Sequence, residues 1–175
     1  MLKKILTAIA IFILVFVLVG AMFSREFDVT RKVVVNAEPA KIHALVGELK
    51  RWDEWTPWLE SDPTIVTTFG PTTSGVGASQ TWTGKDGDGR LTFTQADPVR
   101  GIDYDMVFID GEREMPSKGW IHYTPVTGGM QVEWGMTGVV DMPVVGGYFA
   151  AMMDLMVGGM FERGLEKLKA RTETP

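Results

Sequence analysis

The sequence predicts an α+β domain behind one apolar segment: a strand and a helix, then about six short antiparallel strands, then a long closing helix. Three observations predict it. Residues 64–137 break into short β-branched or alternating runs separated by compact turns. Residues 144–171 carry apolar side chains at helical spacing. Residues 5–23 form 19 positions without a charge.

The apolar run comes first. Only Thr7 and Gly20 interrupt its aliphatic and aromatic character from Ile5 to Phe23. As a helix it extends roughly 28 Å, close to the ~30 Å hydrocarbon thickness of a bilayer. No polar face exists, which argues against a buried amphipathic helix. Lys3 and Lys4 favour a cytoplasmic amino terminus, with the rest of the chain on the outer (periplasmic or extracellular) side; Arg25 on the far flank opposes this. The run exceeds the about 7–15 residues of a signal-peptide core, so an uncleaved anchor is favoured over a cleaved signal. Val19-Gly20-Ala21 nevertheless supplies the small residues that a cleavage site needs. The expected division is an anchor over residues 1–25 and one folded domain over residues 26–175.

Phe27–Ala37 is β-branched and reads as a strand. Pro39 suits a helix start, and Ile42, Leu45, Val46 and Leu49 give that helix one apolar face, so it is expected to reach Leu49. Trp52, Trp55 and Trp58 follow in WDEWTPW, three of the chain's six tryptophans within seven residues. Such rings are costly to leave in water, so they either cap the core or line a hollow. Further strands are expected at Thr64–Phe69, Gly77–Thr83, Gly89–Ala96, Ile102–Ile109, Lys118–Thr124 and Met130–Thr137. Their spacers, such as Asp110-Gly111 and Thr127-Gly128-Gly129, are too short for parallel crossovers. The last helix starts at Val144 or Gly147 and puts Met153, Val157, Met160, Phe161, Gly164 and Leu168 on one side. Seven of eleven methionines fall between Met130 and Met160. Together with Gly158, Gly159 and Gly164 they suit either close helix–sheet packing or an adaptable apolar hollow.

Composition excludes several chemistries. There is no cysteine, so disulfides, thiolate metal sites and cysteine nucleophiles are out. The only histidines, His43 and His122, show no metal-ligand spacing, and no metal or cofactor is expected. No G-x-S-x-G occurs. Asp86-Gly87-Asp88-Gly89 reads as a hairpin turn, because the later ligands of a calcium loop are missing. Beyond residue 25 the chain holds 14 Lys+Arg against 22 Asp+Glu, which disfavours nucleic acid and anionic lipid surfaces. Asp103, Asp105 and Glu133 alternate with apolar neighbours and are expected to face water; a one-residue register slip would bury them.

The order of several short motifs resembles one family. They are Ala37-Glu38-Pro39-Ala40-Lys41-Ile42-His43-Ala44-Leu45-Val46 with WDEWTPW, Ser74-Gly75-Val76-Gly77-Ala78, Gly89-Arg90-Leu91-Thr92-Phe93, Gly119-Trp120-Ile121-His122-Tyr123-Thr124-Pro125, Val132-Glu133-Trp134, and the run from Phe161 to Lys169. Together they resemble the polyketide cyclase/dehydrase and lipid-transport group of the SRPBCC, or START-like, superfamily. The resemblance implies a helix-grip fold, a curved antiparallel sheet of about seven strands wrapped around the closing helix. It also implies a cavity for a hydrophobic small molecule or lipid. It carries over no shared catalytic residues.

The expectation is therefore membrane-anchored binding of an apolar guest. The expected lining is Phe93, Tyr104, Met106, Phe108, Tyr123, Trp134, Met153 and Met160, with Trp55 and Trp58 near the rim. Tyr104 or Tyr123 would orient a polar head group. A cyclase-like enzyme would need an acid or base inside the cavity, from Asp105, Glu133 or His122. A protein-interaction module would show a filled core and an exposed apolar patch.

Overall fold

The computed structural model describes residues 1–174. An apolar helix α1 (Leu2–Met22) leads into strand β1 (Glu26–Val35). Helix α2 (Pro39–Val46) ends at Gly47, whose N–H closes on the His43 carbonyl. Glu48 is extended, and its side chain accepts from the Lys50 N–H to start a 3-10 turn, Leu49–Glu54. The helix expected to reach Leu49 is thus shorter, because Gly47 and Glu48 break it. A single turn α3 (Trp58–Ser61) follows Pro57.

Six further strands follow: β2 (Val66–Phe69), β3 (Ser79–Thr83), β4 (Asp88–Asp97), β5 (Gly101–Asp110), β6 (Arg113–Val126) and β7 (Gly129–Val139). They join β1 in one antiparallel sheet, ordered β1-β7-β6-β5-β4-β3-β2. β6 is longer than the expected Lys118–Thr124 and runs through Pro116. Pro116 lies one step past the last β6–β7 pair, Ser117–Gly138, so β6 is unpaired on that side, the kind of edge position where proline is tolerated. Helix α4 (Gly146–Glu173) closes the chain and lies along β1.

Alternation sorts the sheet. Leu91, Phe93, Ile102, Tyr104, Ile121, Tyr123, Val132 and Trp134 are buried on the concave face. Helix α2 and the tryptophan segment cover the same face with Ile42, Leu45, Val46, Leu49, Trp52 and Trp55, all buried. Gly119 keeps that face open to Tyr104, since a Cβ there would strike the phenol ring. α4 is tied to β1 by Arg31, which donates to Asp154 at 2.7 and 3.0 Å and to Glu162 at 2.6 Å.

The two long helices meet at their adjoining ends. Phe16 and Tyr148 stack with ring centres 4.7 Å apart, and the Tyr148 hydroxyl donates to the Phe16 carbonyl at 2.8 Å. Gly20 and Gly147 sit at the crossing, where a Cβ on Gly147 would lie 3.0 Å from the Gly20 carbonyl oxygen. Val144, just before α4, holds φ of 64°, which costs a β-branched residue on the order of 1–3 kcal/mol.

Candidate hydrophobic-ligand site

The tryptophan segment forms the floor of the grip. The broken helix turns Trp52 and Trp55 inward, edge to face at 5.7 Å. Trp52 donates to the Val46 carbonyl at 2.8 Å and packs against Phe93 and Tyr104, both at 5.9 Å. Trp55 meets Trp134 at 5.2 Å. Trp134 stacks on Phe161 of α4 at 4.2 Å with the rings 10° apart, and its indole donates to the Tyr104 hydroxyl at 3.0 Å. Gly164 lies against that stack with no side chain of its own, which lets α4 approach. At this end helix and sheet are in direct contact.

Two buried phenols lie on this floor. Burial pushes the Tyr104 pKa up to about 12, and the Trp134 N–H offsets part of that rise. Burial also raises that of Tyr123, whose hydroxyl lies 3.4 Å from His43 Nδ1. Both stay neutral at physiological pH. Burial lowers the His43 pKa, with Asp97 opposing, so its ring is mostly neutral too. The floor holds one unmatched polar atom: among the described residues the Trp55 indole N–H, fully buried, has no partner.

Toward α1 the concave face is less well covered. The strand register places Met106 opposite Ser117, Ser117 opposite Gly138, and Val139 opposite Glu26, just beyond the end of α1. Phe108 and Met115 pair one step further toward that end. Met106, Phe108, Met115, Trp82 and Phe27 are half-buried there, as are Met153, Val157 and Met160 on α4. Arg31, on the same face of β1 as Phe27 and Val29, borders them where it reaches Asp154 of α4. The grip is thus sealed by aromatic packing at one end and partly open, with apolar walls, at the other.

The ten expected lining residues divide along that boundary. Trp55, Phe93, Tyr104, Tyr123 and Trp134 are buried and form or border the floor. Met106, Phe108, Met153, Met160 and Trp58 are half-buried, with Trp58 edge-on to Trp134 and Phe161 at 5.9 and 6.5 Å. Sequence reasoning missed Trp82, Met115 and Phe27. Trp82 faces inward because it pairs with Gly89, on the same side as Leu91 and Phe93. Two open depressions lie on the outside: about 440 Å³ beside Asp110, Glu112 and Arg113, and about 510 Å³ beside Asp53, Glu54, Glu60, Lys167 and Arg171. Charged rims make both poor hosts for an apolar guest.

The three acid–base candidates sit on the convex face. Asp105 is exposed. Glu133 pairs with Lys32 at 2.7 Å and accepts from the Trp120 indole at 3.1 Å; its pKa is lowered, first by Lys32. His122 lies 2.6 Å from Asp103. None reaches the concave side.

A seven-stranded antiparallel sheet with a long closing helix and an apolar concave face defines a helix-grip protein of the SRPBCC, START-like type. Residues 26–173 match the family described as polyketide cyclase / dehydrase and lipid transport, and the chain belongs to that family. Solved structures share the fold at low identity. The Rhizobium leguminosarum protein of unknown character is 13% identical, with a TM-score of 0.62 over 85% of this chain and 95% of that one. Protein CV1439 from Chromobacterium violaceum is 15% identical, with a TM-score of 0.58 over 85% of this chain and 98% of that one. StfQ, a di-domain ARO/CYC protein from the steffimycin biosynthetic pathway, is 13% identical with a TM-score of 0.62; the match covers 85% of this chain and 51% of StfQ. A comparison with curated protein sequences gives no match.

Proposed function

We propose that this protein is tethered to a membrane by α1 and binds a hydrophobic small molecule or lipid in the α1-side half of its grip. The observation that carries this reading is the unequal closure of the concave face. Trp134 and its neighbours Trp55, Tyr104 and Phe161 are buried, whereas Met106 and Phe108 on the same face are only half covered. Uncovered apolar surface lining a concavity is where a guest gains most from leaving water. The family's description, which includes lipid transport, and the 21-residue, largely apolar helix α1 support the same reading.

A cyclase-like reaction finds no support from Asp105, Glu133 or His122, all on the far side of the sheet. Reception of a guest is therefore preferred over chemistry performed on it.

The test is extraction and mass spectrometry of lipids carried by the full chain purified in detergent, together with titration by a fluorescent fatty acid. Met106→Trp, which fills the half-open end, should weaken probe binding severalfold without lowering the unfolding temperature. Protein that carries no guest and binds the probe equally in both forms would remove the proposal.

A further inference from the structure

The solvent-facing stripe of α4 changes character along its length. In the first half it carries Phe149, Met152, Leu155 and Met156, all exposed, with Leu155 at 80%. In the second half Arg163 and Glu166 continue the same stripe. From Met142 to Phe161 the only charged residue is Asp154. Asp154 lies on the opposite side of the helix, where Arg31 of β1 holds it. Ordinary soluble helices are polar along this stripe. Here half the helix is apolar outward, and that half is the one beside α1.

The geometry of the α1–α4 junction says what covers the stripe. Tyr148 is level with Phe16, and Gly147 with Gly20 and Phe23, so α4 begins beside the last two turns of α1. At about 1.5 Å per residue, this overlap runs roughly 10 Å back from the end of the apolar helix. A close crossing at glycines, with a tyrosine reaching a backbone carbonyl, is how helices pack where no water competes. The exposed face of α1, from Ile5 to Val19, and the stripe of α4 therefore lie in one continuous apolar zone.

We infer that the first half of α4 lies in the surface of the bilayer that α1 crosses, with Phe149, Met152, Leu155 and Met156 inserted among the lipid chains of the leaflet where α1 ends. This rests on α1 spanning a membrane and adds a second attachment that orients the domain. The half-open end of the grip then faces lipid, since Met153 and Val157 of the same helix segment form one wall of it. The domain's net negative charge gives anionic lipid no role in the attachment. Apolar burial drives it, so it is insensitive to salt.

The chain has no cysteine, so single labels are readily placed. The full chain is reconstituted in phosphatidylcholine vesicles and spin-labelled at Leu155→Cys, at Glu166→Cys on the same stripe, and at Ile11→Cys within α1. Collision with membrane-dissolved oxygen and with a water-soluble nickel chelate is then measured at each site. The expected result is that Ile11 and Leu155 favour oxygen severalfold over nickel and Glu166 favours nickel. The attachment of α4 is refuted, with the anchor intact, if Ile11 favours oxygen while Leu155 favours nickel. It is equally refuted if Leu155 is shielded from both reagents and shows spin–spin broadening, because a second copy of the chain would then cover the stripe. An Ile11 label that favours nickel removes the anchor and this inference together.

Discussion

Gly159 and Gly164 are one and a half turns apart on α4, and alanine should act on them in opposite directions. Either substitution gains helix propensity, about 1 kcal/mol in a helix interior. At Gly159 nothing lies within 4 Å of the new Cβ, so the gain stands alone. At Gly164 the Cβ would lie 2.6 Å from Cζ3 of Trp134 and 3.4 Å from Cδ of Pro57. Ordinary carbon contacts are about 3.5–4.0 Å, so helix and ring must separate by roughly 1 Å. Trp134 has nowhere to go: Phe161 stacks on one face, Trp55 and Trp58 meet it at 5.2 and 5.9 Å, and its indole is bonded to Tyr104. Overpacking of this kind costs about 1–3 kcal/mol, which outweighs the propensity gain. Gly159→Ala should thus stabilise by up to about 1 kcal/mol, while Gly164→Ala should be neutral to about 2 kcal/mol destabilising. Urea unfolding of the full chain in a mild non-ionic detergent, followed by tryptophan fluorescence, measures both. Equal stabilisation by the two substitutions would refute the reasoning, because it would mean that α4 stands off from the sheet at Trp134.

Trp134→Phe should cost about 2–3 kcal/mol, since it shrinks the stack and removes the bond to Tyr104; Trp55→Phe should cost about 1 kcal/mol or less, because it also deletes an orphaned buried N–H. The same unfolding assay compares them, and equal losses would contradict the unpartnered state of Trp55. His43 has a folded pKa below its unfolded value, so its contribution to stability is present above pH about 6.5 and is lost as pH falls through that value toward the folded pKa. Unfolding followed from pH 7.5 to 5 should show this slope, and His43→Gln should remove it; the lowered carboxylates act at lower pH. Arg31→Met should loosen α4 from β1 at a cost of roughly 1 kcal/mol, modest because Asp154 and Glu162 are largely exposed. A double-mutant cycle with Asp154→Asn should recover part of that as coupling, and strict additivity would show the pair to be idle.

Local chemistry made much of this protein legible in its sequence. Alternation in Leu91–Phe93 and Val132–Met136, and the short glycine turns between them, require antiparallel strands whichever partners they find. Nineteen uncharged residues require an apolar helix. Pro39 and the spacing of Ile42, Leu45 and Val46 require a helix start and a face to bury. The lining residues were legible as inward-facing and no further, because a period of two says which side a residue takes and nothing about what stands across from it. Whether Trp134 borders a hollow or a packed stack depends on Phe161 and Gly164, 27 and 30 residues away, and on how close α4 comes. The same holds for Trp82, whose inward direction is set by pairing with Gly89. Only the tertiary structure decided that the grip is sealed at the tryptophan end and half open beside α1, and that the start of α4 shares an apolar zone with α1. The physical reason is that strand and helix periodicities are properties of neighbouring residues, whereas closure and shared surfaces arise from contacts between elements far apart in the chain.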